Sequence, residues 1–119
     1  MFSELLDSIV SKVEGILAAA IMGMDGIAIE KRNLDADLNV ELLAAEYTTA
    51  LRLSSSSTQE VGLGALEEYI LSTENRTIIV RMITSDYFLL LLLGKEGNIG
   101  RARFELKKAK YLVAKEFVF

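Results

Sequence analysis

The chain has 119 residues, 51% apolar and 25% charged, with a formal net charge of −4. That profile describes one globular domain with its own core, too short for two, and argues against a general nucleic-acid binder. With no Cys and no His, disulfides, thiolate sites, triads and the usual zinc or haem sites cannot be built, and the expected compartment is the reducing cytoplasm.

The leading segment MFSELLDSIVSKVEG has no basic start and is interrupted by Glu4 and Asp7, so it is not expected to be a secretory leader. Leu5, Leu6, Ile9 and Val13 recur at helical spacing and predict a helix over 3–14, with Ser3 as N-cap and Gly15 as its stop. ILAAAIMG and IAIEKR then predict strands at 16–23 and 26–32, joined by a hairpin at Asp25-Gly26. A polar connector follows and offers Asp37 or Asn39 as the cap of a second helix, over 40–59. Val40, Leu43, Tyr47, Ala50, Leu51 and Ser54 share one face of that helix, and Leu42, Thr49 and Leu53 form a second stripe. The run Ser54–Ser57 reads either as a linker or as a helix end of small residues, and the periodicity leading into it favours helix. Gly62 and Gly64 end the element.

Three strands are expected next, at 65–73, 76–84 and 87–93, with turns at Glu74-Asn75 and Ser85-Asp86. The first carries Glu67 and Glu68, as an edge strand does. The third, YFLLLLL, is apolar at every position. It is far short of the roughly 20 residues needed to cross a bilayer as a helix, and it fits a central strand buried on both faces. Asn98 then caps a helix from 99 to about 117, with Ile99, Ala102, Leu106, Ala109 and Val113 as its buried stripe. The order α-β-β-α-β-β-β-α makes an α+β sandwich: three helices about a five-stranded antiparallel sheet, in a single domain spanning 1–119.

Chemistry is sparse. Gly94, Gly97 and Gly100 invite a phosphate-loop reading, but they match neither the dinucleotide fingerprint nor the Walker pattern. A tight strand-to-helix connection accounts for them. The carboxylates Asp25, Asp35, Asp37, Glu67 and Glu68 lack further ligands at metal-site spacing, and the hydroxyls of Ser54–Thr58 have no base. No catalytic residue, metal or cofactor is expected.

Two surfaces exceed what a core requires. One is the Leu42/Thr49/Leu53 stripe beside the 65–73 edge, which suits self-association. The other is a line on the last helix, Phe104, Tyr111 and Val118, flanked by Lys107, Lys108 and Lys115. Its rings either fold over the first helix or form a secondary partner surface. Residues 95–119 carry seven basic and three acidic side chains, against six and fourteen in 1–94, so this helix is a basic element on an acidic body.

The hairpin in ILAAAIMGMDGIAIEK, the leucine strand and the junction GKEGNIGRARFELKKA leading into a basic helix together resemble the roadblock/dynein light-chain family over nearly the whole chain. The resemblance implies a profilin-like sheet of strand order 2-1-5-4-3 and no catalytic residues. It implies homodimers that join their third strands, here through Leu66, Tyr69 and Leu71, and pair their second helices, here through Leu42, Thr49 and Leu53. It also implies binding and regulation of a small Ras-like GTPase, as by bacterial regulators of the MglB type. The expected GTPase contact is Ala45, Thr48, Arg52, Ser55, Ser56 and Gln59, where small uncharged residues let a partner approach with little desolvation. The alternatives are a passive structural adaptor without effect on nucleotide turnover, and a small-molecule sensor of profilin-like or PAS-like kind. Neither nucleic acid nor membrane insertion is expected.

Overall fold

Strand pairing is organised by the leucine run. In the computed structural model, which describes residues 1–117, this run is β5 (Tyr87–Gly94), with β1 (Ile16–Gly23) on one side and β4 (Arg76–Met82) on the other. β2 (Ala28–Asn33) and β3 (Glu68–Ser72) form the two edges, giving one antiparallel sheet of order β2-β1-β5-β4-β3. Side chains alternate across a strand. Accordingly Leu89, Leu91 and Leu93 enter one core and Phe88, Leu90 and Leu92 the other.

α1 (Phe2–Lys12) and α3 (Ile99–Val113), the latter followed by a 3₁₀ turn at Ala114–Phe117, cover the first face. α2 (Val40–Glu60) covers the second, and the serine run lies within it. The expected third strand is shortened at both ends, to Glu68–Ser72. Leu66, which precedes it, packs against the core beneath α2.

Local chemistry sets the element ends. Asn39 and Asn98 cap α2 and α3, accepting from the amides of Leu42 (3.0 Å) and Arg101 (2.9 Å). Ser3 does not cap α1; that position falls to Met1, and the Ser3 hydroxyl instead accepts from Arg32. Of the three-spaced glycines, Gly97 has a steric explanation, while a Cβ on Gly94 or Gly100 would meet nothing closer than 3.7 Å. A Cβ on Gly97 would lie 2.7 Å from the Leu93 side chain, and one on Gly15 would lie 2.5 Å from Gly97 Cα. The chain leaving α1 and the chain entering α3 cross backbone against backbone. Gly94 N donates to Gly15 O (2.8 Å) and Asn98 N to Glu14 O (3.1 Å) across that crossing. The leucine run is central, as the sequence predicts, and the tight strand-to-helix connection expected at the glycines also packs against the chain leaving α1, which the sequence did not foretell.

Candidate functional site: the outer face of the middle helix

α2 touches the sheet along Val40, Ala44, Thr48 and Leu51. The strand beneath presents Ala18 and Ala20, and small residues on both sides bring helix and sheet together. The Thr48 hydroxyl donates to Ala44 O at 2.8 Å, satisfying its polar group within the helix. Thr48 therefore leaves the expected partner contact: it is buried, not outward. The expected core face is rotated by part of a turn as well. Leu43, Tyr47, Ala50 and Ser54 are half-buried on one flank rather than central.

The side opposite the sheet is Leu42, Thr49 and Leu53. Leu42 is 59% exposed and Leu53 70%. On the flank toward β3 and β4, Leu43 and Tyr47 line a cleft of about 250 Å³ with Leu38, Leu71, Ile78 and Leu92. On the other flank Ala45, Arg52, Ser56 and Gln59 are exposed. The Arg52 guanidinium donates to the carbonyl of Met24, tying that flank to the β1–β2 turn. Ser55 is half-buried, and with Gln59 it borders a second cleft beside Leu66, Met82 and Ser85. Four of the six expected contact residues thus share an open surface, while Thr48 and Ser55 face inward.

The expected self-association residues lie on both elements. Tyr69 and Leu71 on β3 are half-buried against the core beneath α2, and the outermost apolar side chain of the strand is Ile70. Strand alternation could have singled out Ile70. The edge is fixed to the opposite layer by Glu68. Arg103 of α3 donates to it through Nε (3.0 Å) and Nη2 (2.8 Å), and Arg81 Nη1 lies 3.7 Å away. The Arg103 hydrogen bonds hold the Glu68 carboxyl below its ordinary value of 4.5, against the opposing effect of burial.

Phe104 and Tyr111 do not fold over α1. Both are exposed, and the ring that closes over α1 is Phe117, stacked on Phe2 (5.4 Å between centroids) and against Tyr87 (4.4 Å). Val118 lies outside the described residues. The sequence also gave no sign of Glu105, which is buried on α3 with Lys108 Nζ at 3.1 Å and Arg101 Nη2 at 3.8 Å. Among the described residues, no group of three or more His, Cys, Asp or Glu is placed to hold a metal ion. No helix there is long and apolar enough to cross a membrane.

Sheet order and layers define a profilin-like sandwich of the roadblock type, with an unpartnered apolar stripe on its single-helix side. A family model described as mitogen-activated protein kinase kinase 1 interacting matches residues 2–106. MglC from Myxococcus xanthus is 33% identical, with 96% of this chain and 97% of that one covered and a TM-score of 0.69. The Roadblock/LC7 domain from Streptomyces avermitilis superposes with a TM-score of 0.84 at 20% identity, covering 96% and 95%. Myxococcus xanthus MglB does so with 0.80 at 13% identity, covering 97% and 89%. The chain belongs to the family described as mitogen-activated protein kinase kinase 1 interacting, and to the roadblock proteins by its fold and its likeness to MglC.

Proposed function

We propose that the protein is a non-catalytic homodimeric module that binds and regulates a small Ras-like GTPase. The observation that carries this reading is apolar surplus. α2 needs only Val40, Ala44, Thr48 and Leu51 for the sheet, yet it holds Leu42 and Leu53 in solvent beside the open edge of β3. Exposed apolar surface of this kind marks contact sites. Two copies related by a twofold axis could join their β3 edges into one continuous sheet and pair their α2 stripes. The open flank, Ala45, Arg52, Ser56 and Gln59, would then appear twice on one side of the dimer, as a platform for the GTPase.

The dimer and the platform are tested separately. Leu53→Asp should sediment as a monomer where the wild type sediments as a dimer. Its monomer stability should stay within about 0.5 kcal/mol, because the residue is exposed. A wild type that is monomeric at micromolar concentration would remove the dimer. Arg52→Glu with Ser56→Arg should weaken binding of a small Ras-like GTPase, at least about tenfold in a titration, with the dimer intact. Unchanged affinity would remove the platform. The description of the matched family names an interaction with a kinase kinase and not a reaction, which keeps the passive adaptor as the second reading. Binding without any change in the GTP hydrolysis rate would favour it.

A further inference from the structure

The outer face of α3 lies on the opposite layer from α2 and takes no part in the proposed dimer or platform. At about 100° per residue, Arg101, Phe104, Lys108, Tyr111 and Leu112 share the side turned away from the sheet, and Lys115 continues it into the 3₁₀ turn. Phe104 is 57% exposed, Tyr111 73% and Leu112 52%. Arg101 and Lys108 stand over the Phe104 ring, at 5.6 and 5.7 Å from its centroid. The one acidic residue within the helix, Glu105, is turned inward and buried, and those same two cations lie beside its carboxylate. The result is a ridge from Arg101 to Leu112, about 16 Å long, with three apolar side chains among basic ones and no carboxylate facing outward.

We propose that this ridge docks an acidic amphipathic helix of a partner protein. Charge complementarity selects the sign: the ridge is basic on a body whose residues 1–94 carry fourteen acidic and six basic side chains. The apolar spacing selects the shape. Phe104, Tyr111 and Leu112 lie at i, i+7 and i+8, the repeat that another helix presents along its own apolar line. Geometry selects a helix over an anionic bilayer. α1 lies beside α3 on the same layer and exposes Glu4, and Glu14 is exposed just past its end. A flat anionic surface would meet those carboxylates together with the ridge, whereas a helix about 10 Å wide can lie along α3 alone. Since α2 and α3 cover opposite faces, the module could hold this helix and its α2 partner at once.

The test uses the whole protein and an 18-residue synthetic helix carrying leucines on one line and glutamates on its flanks, about five turns long. Amide shift mapping by NMR should show perturbations confined to 101–115. Labelled-peptide anisotropy should show binding that weakens with added salt and falls at least fivefold in Tyr111→Ser and in Lys115→Glu. Both sites are exposed, and an unchanged amide spectrum elsewhere would show each variant folded. A charge-inverted lysine peptide should not bind. Perturbations on α2, equal binding of the lysine peptide, or affinity unchanged in both variants would overturn the proposal. So would stronger binding to phosphatidylserine vesicles than to the peptide. The α2 platform could fail its own test without touching this one.

Discussion

The sheet is covered twice, and the two covers differ in what they leave outside. α1, α3 and the 3₁₀ turn close one face jointly, locked by the Gly15–Gly97 crossing and by Phe117 between Phe2 and Tyr87. α2 covers the other face alone, resting on Val40, Ala44, Thr48 and Leu51, with leucines on its far side. Both covers bury the same strand equally well: Leu91 and Leu90 are 1% and 0% exposed. The difference therefore concerns how each cover is held and what it presents to a partner, rather than the quality of the core. The jointly closed layer turns outward the basic side chains of α3 with Phe104, Tyr111 and Leu112 among them. A layer of one helix leaves two flanks and a far side: here leucines on the far side, Leu43 and Tyr47 on one flank, and Ala45, Arg52, Ser56 and Gln59 on the other.

The largest effects should come from the central strand. Leu91→Ala and Leu90→Ala should each cost about 2–5 kcal/mol in urea denaturation. Leu91→Ala should cost more, because the crossing at Gly15 pins the helices over it and prevents collapse into the cavity. α2 is free to settle inward over Leu90→Ala. The reverse order would break the contrast between a pinned and a loose cover. Next comes the crossing itself. Gly15→Ala combines a positive φ of +82° with a Cβ 2.5 Å from Gly97 Cα. Its expected cost is roughly 2–5 kcal/mol. Gly62→Ala, just past the end of α2, has a similar φ of +78° and nothing within 4 Å of the added carbon. It should cost only about 1–2 kcal/mol. Equal costs would mean that φ matters and the close approach does not.

Much of this was legible from the residues because each signal pointed one way. A run apolar at every position fits a strand only where both faces are covered. Asparagines placed before periodic runs cap helices, as Asn39 and Asn98 do. The strand order was different: it came with the family resemblance, since pairing partners are not encoded in periodicity. The orientation of α2 was misread for a physical reason. Apolar residues lie on several sides of it, so hydrophobicity alone does not choose the buried face. The buried face mixes sizes, Val40 and Leu51 with the small Ala44 and Thr48, against a sheet that presents Ala18 and Ala20. Reading the large residues as core and the small ones as surface placed Thr48 in the partner contact. Glu105 escaped because a lone carboxylate among basic residues reads as surface, whereas here it is buried with the charged ends of Arg101 and Lys108 beside it.

The smallest effect concerns the one carboxylate that joins the two regions. Glu68 sits on the edge strand that the proposed dimer would use, and its partner Arg103 comes from the layer on the other face. Because its folded pKa is lowered, the pair contributes stability above the ordinary carboxylate value and loses it as pH falls through the lower folded value. Arg103 is half in solvent, so Glu68→Gln should cost less than about 1 kcal/mol at neutral pH. The gap between wild type and variant should then narrow as pH falls below the ordinary carboxylate value and through the lowered folded one, and vanish only once the wild-type side chain is protonated in the folded protein as well. Asp7, held low by its hydrogen bond from Arg32, is the same in both proteins and cancels from the difference. A gap that persists unchanged in acid would mean that the edge is held by packing of Tyr69 and Leu71 beneath α2. In that case the two layers meet only through the core, and the charge bridge between them contributes nothing to the strand that the proposed dimer would use.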